Sequence, residues 1–124
     1  MTSRTIYTKR TYRSECNVCK VIMKKIISTQ DLIPVIIQEN KTGEVLMLGY
    51  MDTQAVNRTI KTGFVWFWSR SKKRLWMKGE RSGNTLMVEI ILIDCDNDSL
   101  LIKVTLAGSA VCHNGEKSCF YQKL

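Results

Sequence analysis

Apolar and polar positions divide the chain into an unpatterned stretch and a sharply patterned one. From Asp31 onward the apolar residues fall into short runs bounded by turn residues. Pro34-Val35-Ile36-Ile37-Gln38 predicts a strand, because β-branched residues suit a pleated, half-buried surface and a proline is tolerated at a strand's first position. Asn40-Lys41-Thr42-Gly43 is turn chemistry, so residues 44–49 predict the returning strand of a hairpin. Asp52 suits a helix N-cap, residues 53–61 make three turns, and Gly63 supplies the stop. Residues 64–69 carry aromatics at every second position, the period of a strand. A basic link over 70–74 leads to a short strand at 75–78 and a polar, glycine-containing loop at 79–84. Two further strands are predicted at 85–93 and 100–106, and residues 108–124 read as loop.

Several strands and one clear helix, over about residues 53–61, predict an α+β domain of mainly antiparallel sheet. Before Asp31 the pattern is weaker. Thr, Arg, Tyr and Lys alternate without strong period up to Arg13, and Val18, Val21, Ile22 and Ile26 read equally as helix or strand. The chain is therefore divided into a basic N-terminal extension, 1–30, and a folded domain, 31–124.

The 124 residues, 44% hydrophobic and 24% charged, suit one compact globular domain. Apolar runs as short as Ile90-Ile91-Leu92-Ile93 exclude a membrane-spanning helix. The basic N-terminus lacks the apolar core of a signal peptide, so a cytoplasmic location is expected. Of the net charge of +8, residues 1–30 contribute +6, with seven basic residues against Glu15 alone. Such a segment serves as a solubilising tail, a flexible arm or a nucleic-acid contact.

Five cysteines in a chain expected to be reduced point to metal or catalysis before disulfides, and an odd number agrees. Cys16-Asn17-Val18-Cys19 is a bare Cys-x-x-Cys, more economically two incidental thiols than a redox or metal motif. Cys95, Cys112 and Cys119 lack the paired spacing of a zinc ribbon. Three thiolates without a fourth suit an open zinc site, whose remaining position holds a water made more acidic by the metal. The formally anionic sulfur set acidifies that water less than imidazoles would, so a general base nearby is expected. His113, the one histidine in the chain, adjoins a proposed ligand and has a suitable intrinsic pKa.

Asp94, Asp96 and Asp98 would share one face of an extended segment, with Cys95 on the other. They read either as an acidic surface turn or as ligands for a hard ion such as Mg²⁺, which bridges to phosphates. A calcium loop is a poor fit, since Ser99 and Thr105 stand where glycine and glutamate are needed. Nucleobase-deaminase signatures are absent. Trp68, Ser69 and Arg70, and Lys78, Glu80, Ser82 and Asn84, belong to segments that look like ligand loops. Their glycines allow close approach, and their hydroxyls, amides and cations suit phosphate and ribose. Aromatic side chains there serve core packing or purine stacking.

Taken in order, Leu32-Ile33-Pro34, Val45-Leu46-Met47-Leu48-Gly49-Tyr50-Met51, Trp68-Ser69-Arg70-Ser71, Leu75-Trp76-Met77-Lys78-Gly79-Glu80, Ser82-Gly83-Asn84, Asp94-Cys95-Asp96-Asn97-Asp98, Cys112-His113-Asn114-Gly115 and Ser118-Cys119-Phe120-Tyr121 resemble the phosphoribosyl-AMP cyclohydrolase family of histidine biosynthesis. The resemblance covers about residues 31–121. It implies a hydrolase that opens the adenine ring of 1-(5-phosphoribosyl)-AMP between N1 and C6, giving the formimino-aminoimidazole-carboxamide ribonucleotide. It implies zinc, one per subunit, on Cys95, Cys112 and Cys119, and Mg²⁺ on Asp94, Asp96 and Asp98. It also implies an intertwined homodimer whose zinc site draws on both chains. Arg70 and Lys78 would then anchor the substrate's phosphates, and His113 would accept a proton. The alternative is a non-enzymatic zinc module whose basic arm binds RNA or another polyanion, a role the three aspartates would oppose, so nucleic acid is not the expected partner.

Overall fold

The computed structural model describes residues 32–124 and, as backbone, residues 5–8. The pattern at Val18–Ile26, the Cys16/Cys19 pair and most of the basic extension lie outside the described residues. Among the described residues, seven strands and one helix follow in the order β1 (Thr5–Thr8), β2 (Ile33–Glu39), β3 (Val45–Met51), α1 (Thr53–Thr62), β4 (Trp66–Ser69), β5 (Arg74–Met77), β6 (Leu86–Ile93) and β7 (Leu100–Leu106). The fold is α+β, as the sequence predicts. A five-stranded sheet runs β1-β6-β7-β2-β3, and β4-β5 form a separate ribbon. All pairings are antiparallel except β2 with β7.

Local chemistry explains most boundaries. Pro34 is tolerated in β2 because the β7 ladder begins only at Val35, opposite Leu100. The Asp52 carboxylate accepts the Ala55 N–H at 2.8 Å, and Gly63 closes the helix in the left-handed conformation, donating to the Thr59 carbonyl at 3.0 Å. Ala55, Val56, Thr59 and Ile60 form the buried stripe of α1. Thr59 Oγ1 accepts the Trp66 N–H at 3.0 Å, which satisfies a buried hydroxyl and sets the start of β4. That strand begins later than the aromatic period suggests. Phe64 makes only an isolated bridge to Met87, and Val65 donates to the Leu86 carbonyl, so the chain passes β6 before it joins β5.

In β6 a bulge between Val88 and Ile90 reverses the alternation: Leu86 and Val88 face inward before it, Ile91 and Ile93 after it. Thr5–Thr8, to which the sequence reading assigns no element, lies along β6 with Thr5 opposite Leu92 and Thr8 opposite Ile90. Four residues are too few to display a period, and the β6 edge decides their conformation.

The core lies between one face of the large sheet (Ile33, Val35, Ile37, Ile102, Val104), the helix stripe and Phe67 of the ribbon. The opposite sheet face carries an apolar patch beside polar residues such as Lys103 and Thr105. Ile36 and Leu48, cross-strand partners, are 39% and 44% exposed, and Leu101 lies beside Ile36. No helix among the described residues is long and apolar enough to cross a membrane.

Candidate active site

The ribbon β4-β5 can lie flat on β3 because residue 49 has no side chain. A Cβ on Gly49 would stand 2.5 Å from the ring of Phe67, which is buried and 5.4 Å from the Trp76 ring, centroid to centroid. The ribbon then turns through residues 70–73. Lys72 N–H donates to Ser69 Oγ at 3.1 Å and Lys73 N–H to the Ser69 carbonyl at 2.8 Å. This turn carries Arg70 back over β3, where its guanidinium carbon sits 4.0 Å from the centre of the Tyr50 ring.

After β5 the chain enters the 78–84 loop. Gly79 has φ +86°, and the Asn84 backbone packs where its side chain would be. Both oxygens of Glu80 are engaged: one accepts the Met77 N–H at 2.8 Å, the other an Arg74 N–H at 3.3 Å. The Met77 N–H is the main reason that the Glu80 carboxyl lies below its usual range. Glu80 thus reaches the site chiefly as a brace for its own loop.

The C-terminal loop is closed by its backbone. Cys112 N–H donates to the Glu116 carbonyl at 3.1 Å and Gly115 N–H to the Cys112 carbonyl at 3.0 Å. It is pinned to β3 by Ser118 Oγ on the Val45 carbonyl, 2.8 Å, and by Cys119 N–H on the Leu46 carbonyl, 2.7 Å.

These three segments enclose a cleft of about 1050 Å³ floored by β3. Trp68, Ser69 and Arg70 line it from the ribbon. Lys78, Glu80, Ser82 and Asn84 line it from the loop, and Cys112 and His113 from the tail. All seven residues expected to bind substrate therefore face one space, together with the expected base and one expected ligand. Tyr50 also lines it and was not singled out in the sequence. Its signal was faint, a tyrosine after Gly49, because its partner Arg70 is twenty residues away.

Cys119 lies beside Cys112, and their sulfurs interact. Partial burial pushes the Cys119 thiol up and the Cys112 sulfur adds to this, whereas Lys78 opposes it. Half-buried Lys78 is itself lowered by burial, against the pull of Cys119 and Cys112. A divalent cation on the sulfurs would reverse this balance and stabilise the thiolates, so the pair suits a soft metal.

Residues 94–98 are not extended, contrary to the conditional expectation. Asp94 folds the segment into a turn: one of its oxygens accepts the Asp98 N–H at 2.9 Å and the Ser99 N–H at 3.2 Å, and Asn97 is left-handed at φ 61°. The turn nevertheless gathers Asp94, Asp96 and Asp98, with a carboxylate oxygen of each within 4.8 Å of the others. Desolvation works against the Asp94 carboxylate, but hydrogen bonds from Asp98 and Ser99 outweigh it and hold the group low. Asp98 is pushed up to about 6 by Asp94 and Asp96. Carboxylates crowded in this way suit a hard cation in place of the shared proton.

Cys95 is exposed on the same turn and, within one chain, does not join the other two cysteines. The register explains why. The turn precedes Leu100, which pairs with Val35, whereas Cys119 is tied to Leu46 near the far end of the β2–β3 hairpin. Strand rise and spacing put Leu46 about 12 Å from Leu100.

The family model for phosphoribosyl-AMP cyclohydrolase matches residues 47–121. A phosphoribosyl-AMP cyclohydrolase of Solibacter usitatus is 52% identical over 93 residues, 75% of this chain and 74% of that protein. One from Pelobacter propionicus is 54% identical over 92 residues, 74% of each chain. One from Listeria innocua is 50% identical over 99 residues, 80% of this chain and 93% of its own length. The matched residues run from the cleft floor through the ribbon, the 78–84 loop and the acidic turn to the cysteine-bearing tail, and the chain belongs to the phosphoribosyl-AMP cyclohydrolase family.

Proposed function

We propose that the protein hydrolyses the N1–C6 bond of 1-(5-phosphoribosyl)-AMP as a zinc- and magnesium-dependent homodimer, a step of histidine biosynthesis. The observation that carries this reading is the convergence of Trp68–Arg70, Lys78–Asn84 and Cys112–His113 on one cleft, in a chain of this family. The N1-phosphoribosyl group makes the purine cationic and C6 electrophilic. Water adds its oxygen to C6, the N1–C6 bond breaks, and N1 leaves protonated in the formimino group. His113 accepts the proton of the attacking water. Arg70, held over Tyr50, and Lys78 meet the phosphates, while Ser82 and Asn84 offer hydrogen bonds to ribose or phosphate.

Cys112 and Cys119 of one protomer, with Cys95 of the other, would hold zinc, which supplies the acidity that makes water nucleophilic at neutral pH. Two features support an interprotomer site: Cys95 stands apart from the pair within one chain, and the apolar patch that holds exposed Ile36 adjoins its turn, in a groove that Leu92, Asp94 and Leu101 also line. Asp94, Asp96 and Asp98 would hold Mg²⁺ for the substrate's oxygens, and the same cluster repels a polyanion, which weighs against the RNA-binding alternative.

The test is an ultraviolet assay of ring opening on samples analysed for metal. Cys112→Ala is expected to lose zinc and activity together. His113→Ala is expected to keep zinc and slow turnover by about 10²–10⁴-fold. Full activity in protein free of zinc would refute the mechanism.

A further inference from the structure

Lys117 sits two residues before Cys119 yet turns away from the cleft, toward the β2–β3 turn. Its ammonium nitrogen lies 2.7 Å from Glu39 Oε1 and 3.1 Å from Glu44 Oε1. Neither carboxylate lines the cleft, and neither does Lys117. The turn that bears them is stiff. Glu39 N–H donates to the Glu44 carbonyl at 2.7 Å and Gly43 N–H to the Glu39 carbonyl at 2.9 Å. Thr42 Oγ1 donates to Glu39 Oε1 at 2.6 Å, and Gln38 Nε2 to the Gly43 carbonyl at 2.9 Å.

Two neighbouring carboxylates on a rigid turn need a cation between them, and Lys117 supplies it. The same residue grips the other end of its own loop, since its carbonyl accepts the Val111 N–H at 3.1 Å. Val111 is buried and directly precedes Cys112. One residue therefore ties the backbone beside both sulfurs to the hairpin turn at the start of β3.

We infer that Lys117 is a positioning residue: by bridging Glu39 and Glu44 it anchors the loop that carries Cys112 and Cys119 and holds their sulfurs at the spacing a metal requires. The inference rests on the zinc reading above. An isolated surface ion pair contributes little, because two mobile side chains must be ordered to form it. Here the nearer carboxylate is already ordered, since Glu39 accepts the Thr42 hydroxyl and its side chain is only 15% exposed, whereas Glu44 is fixed by the turn through its backbone alone.

The experiment uses the full-length protein with Lys117→Met, Lys117→Arg, the pair Glu39→Gln/Glu44→Gln, and the pair combined with Lys117→Met. Zinc affinity is read by competition with a chromophoric chelator. Lys117→Met is expected to lose about three- to tenfold, Lys117→Arg to recover most of it, and the combined variant to lose no more than either parent. kcat should fall at unchanged KM, since the ribbon and the 78–84 loop are untouched. Amide exchange in metal-free protein supplies a readout independent of zinc: Val111, Cys112 and Cys119 should exchange faster in Lys117→Met. Unchanged zinc affinity and unchanged exchange in that variant, or strictly additive losses, would overturn the inference. A wild-type protein without zinc affinity would instead defeat the zinc reading, and the exchange comparison would still decide whether Lys117 orders the loop.

Discussion

Phe67 fills the space that a side chain at residue 49 would need, and the whole ribbon rides on that contact. Gly49→Ala should lift β4 from β3 or distort the strand, at the roughly 1–3 kcal/mol typical of overpacking, read as a lowered midpoint of thermal unfolding. The same change should raise KM, because Trp68, Ser69 and Arg70 move with the ribbon. Tyr50 offers a gentler probe. Tyr50→Phe keeps an aromatic face under Arg70, whereas Tyr50→Leu removes it, so substrate affinity should survive the first change and weaken severalfold in the second. Donor type alone singled out the sulfurs, the three aspartates and the lone histidine, and folding gathers the aspartates, sets Cys119 beside Cys112 and turns His113 to the cleft. Donor type was silent on Tyr50, whose meaning comes from a guanidinium that folding lays across it. It was also incomplete for Glu80, whose oxygens face the Met77 amide and Arg74.

Turns and caps were the most readable elements, since they depend on interactions within three or four residues. Asp52 and Gly63 bracket α1 as expected, and the hairpin of β2 and β3 forms around the 40–43 turn. Strand starts moved where a neighbour intervened: β4 begins at Trp66 because Thr59 claims its N–H, and β5 begins at Arg74 because that residue pairs with Ser69. The 78–84 loop makes a pH-dependent prediction. Glu80 is ionised more readily in the folded loop than in the free chain, so its bracing is complete above its ordinary value of 4.5 and is lost as pH falls through the lower, folded value. Glu80→Gln retains an acceptor for the Met77 N–H but has no charge to lose. Tryptophan fluorescence of the wild type should therefore change on acidification below about pH 4.5 more than that of the variant. Equal acid profiles would assign the loop's order to Gly79 and Asn84 packing alone.

At the scale of the whole molecule, one chain keeps Cys95, on the acidic turn, apart from Cys112, which lines the cleft, and its neighbour Cys119; the proposed zinc site treats them as two half-sites. Joined between two protomers, they make a strong prediction. Cys95→Ser and Cys112→Ser proteins, each inactive alone, should regain about a quarter of wild-type activity when unfolded and refolded together in equal amounts. Half of the dimers would then be mixed, each with one intact site. No recovery, with mixed dimers shown to form, would place all three sulfurs on one chain. Periodicity, turn chemistry and donor identity, all of which act over a handful of neighbouring positions, were enough to write down the α+β class, the helix with its caps, most strands and the candidate chemistry. The parallel contact of β2 with β7, the edge strand at Thr5–Thr8, the curl of the acidic turn and the gathering of three remote segments around one cleft came from long-range pairing. Such pairing is governed by which faces bury one another across the fold, and no short stretch of chain contains that information.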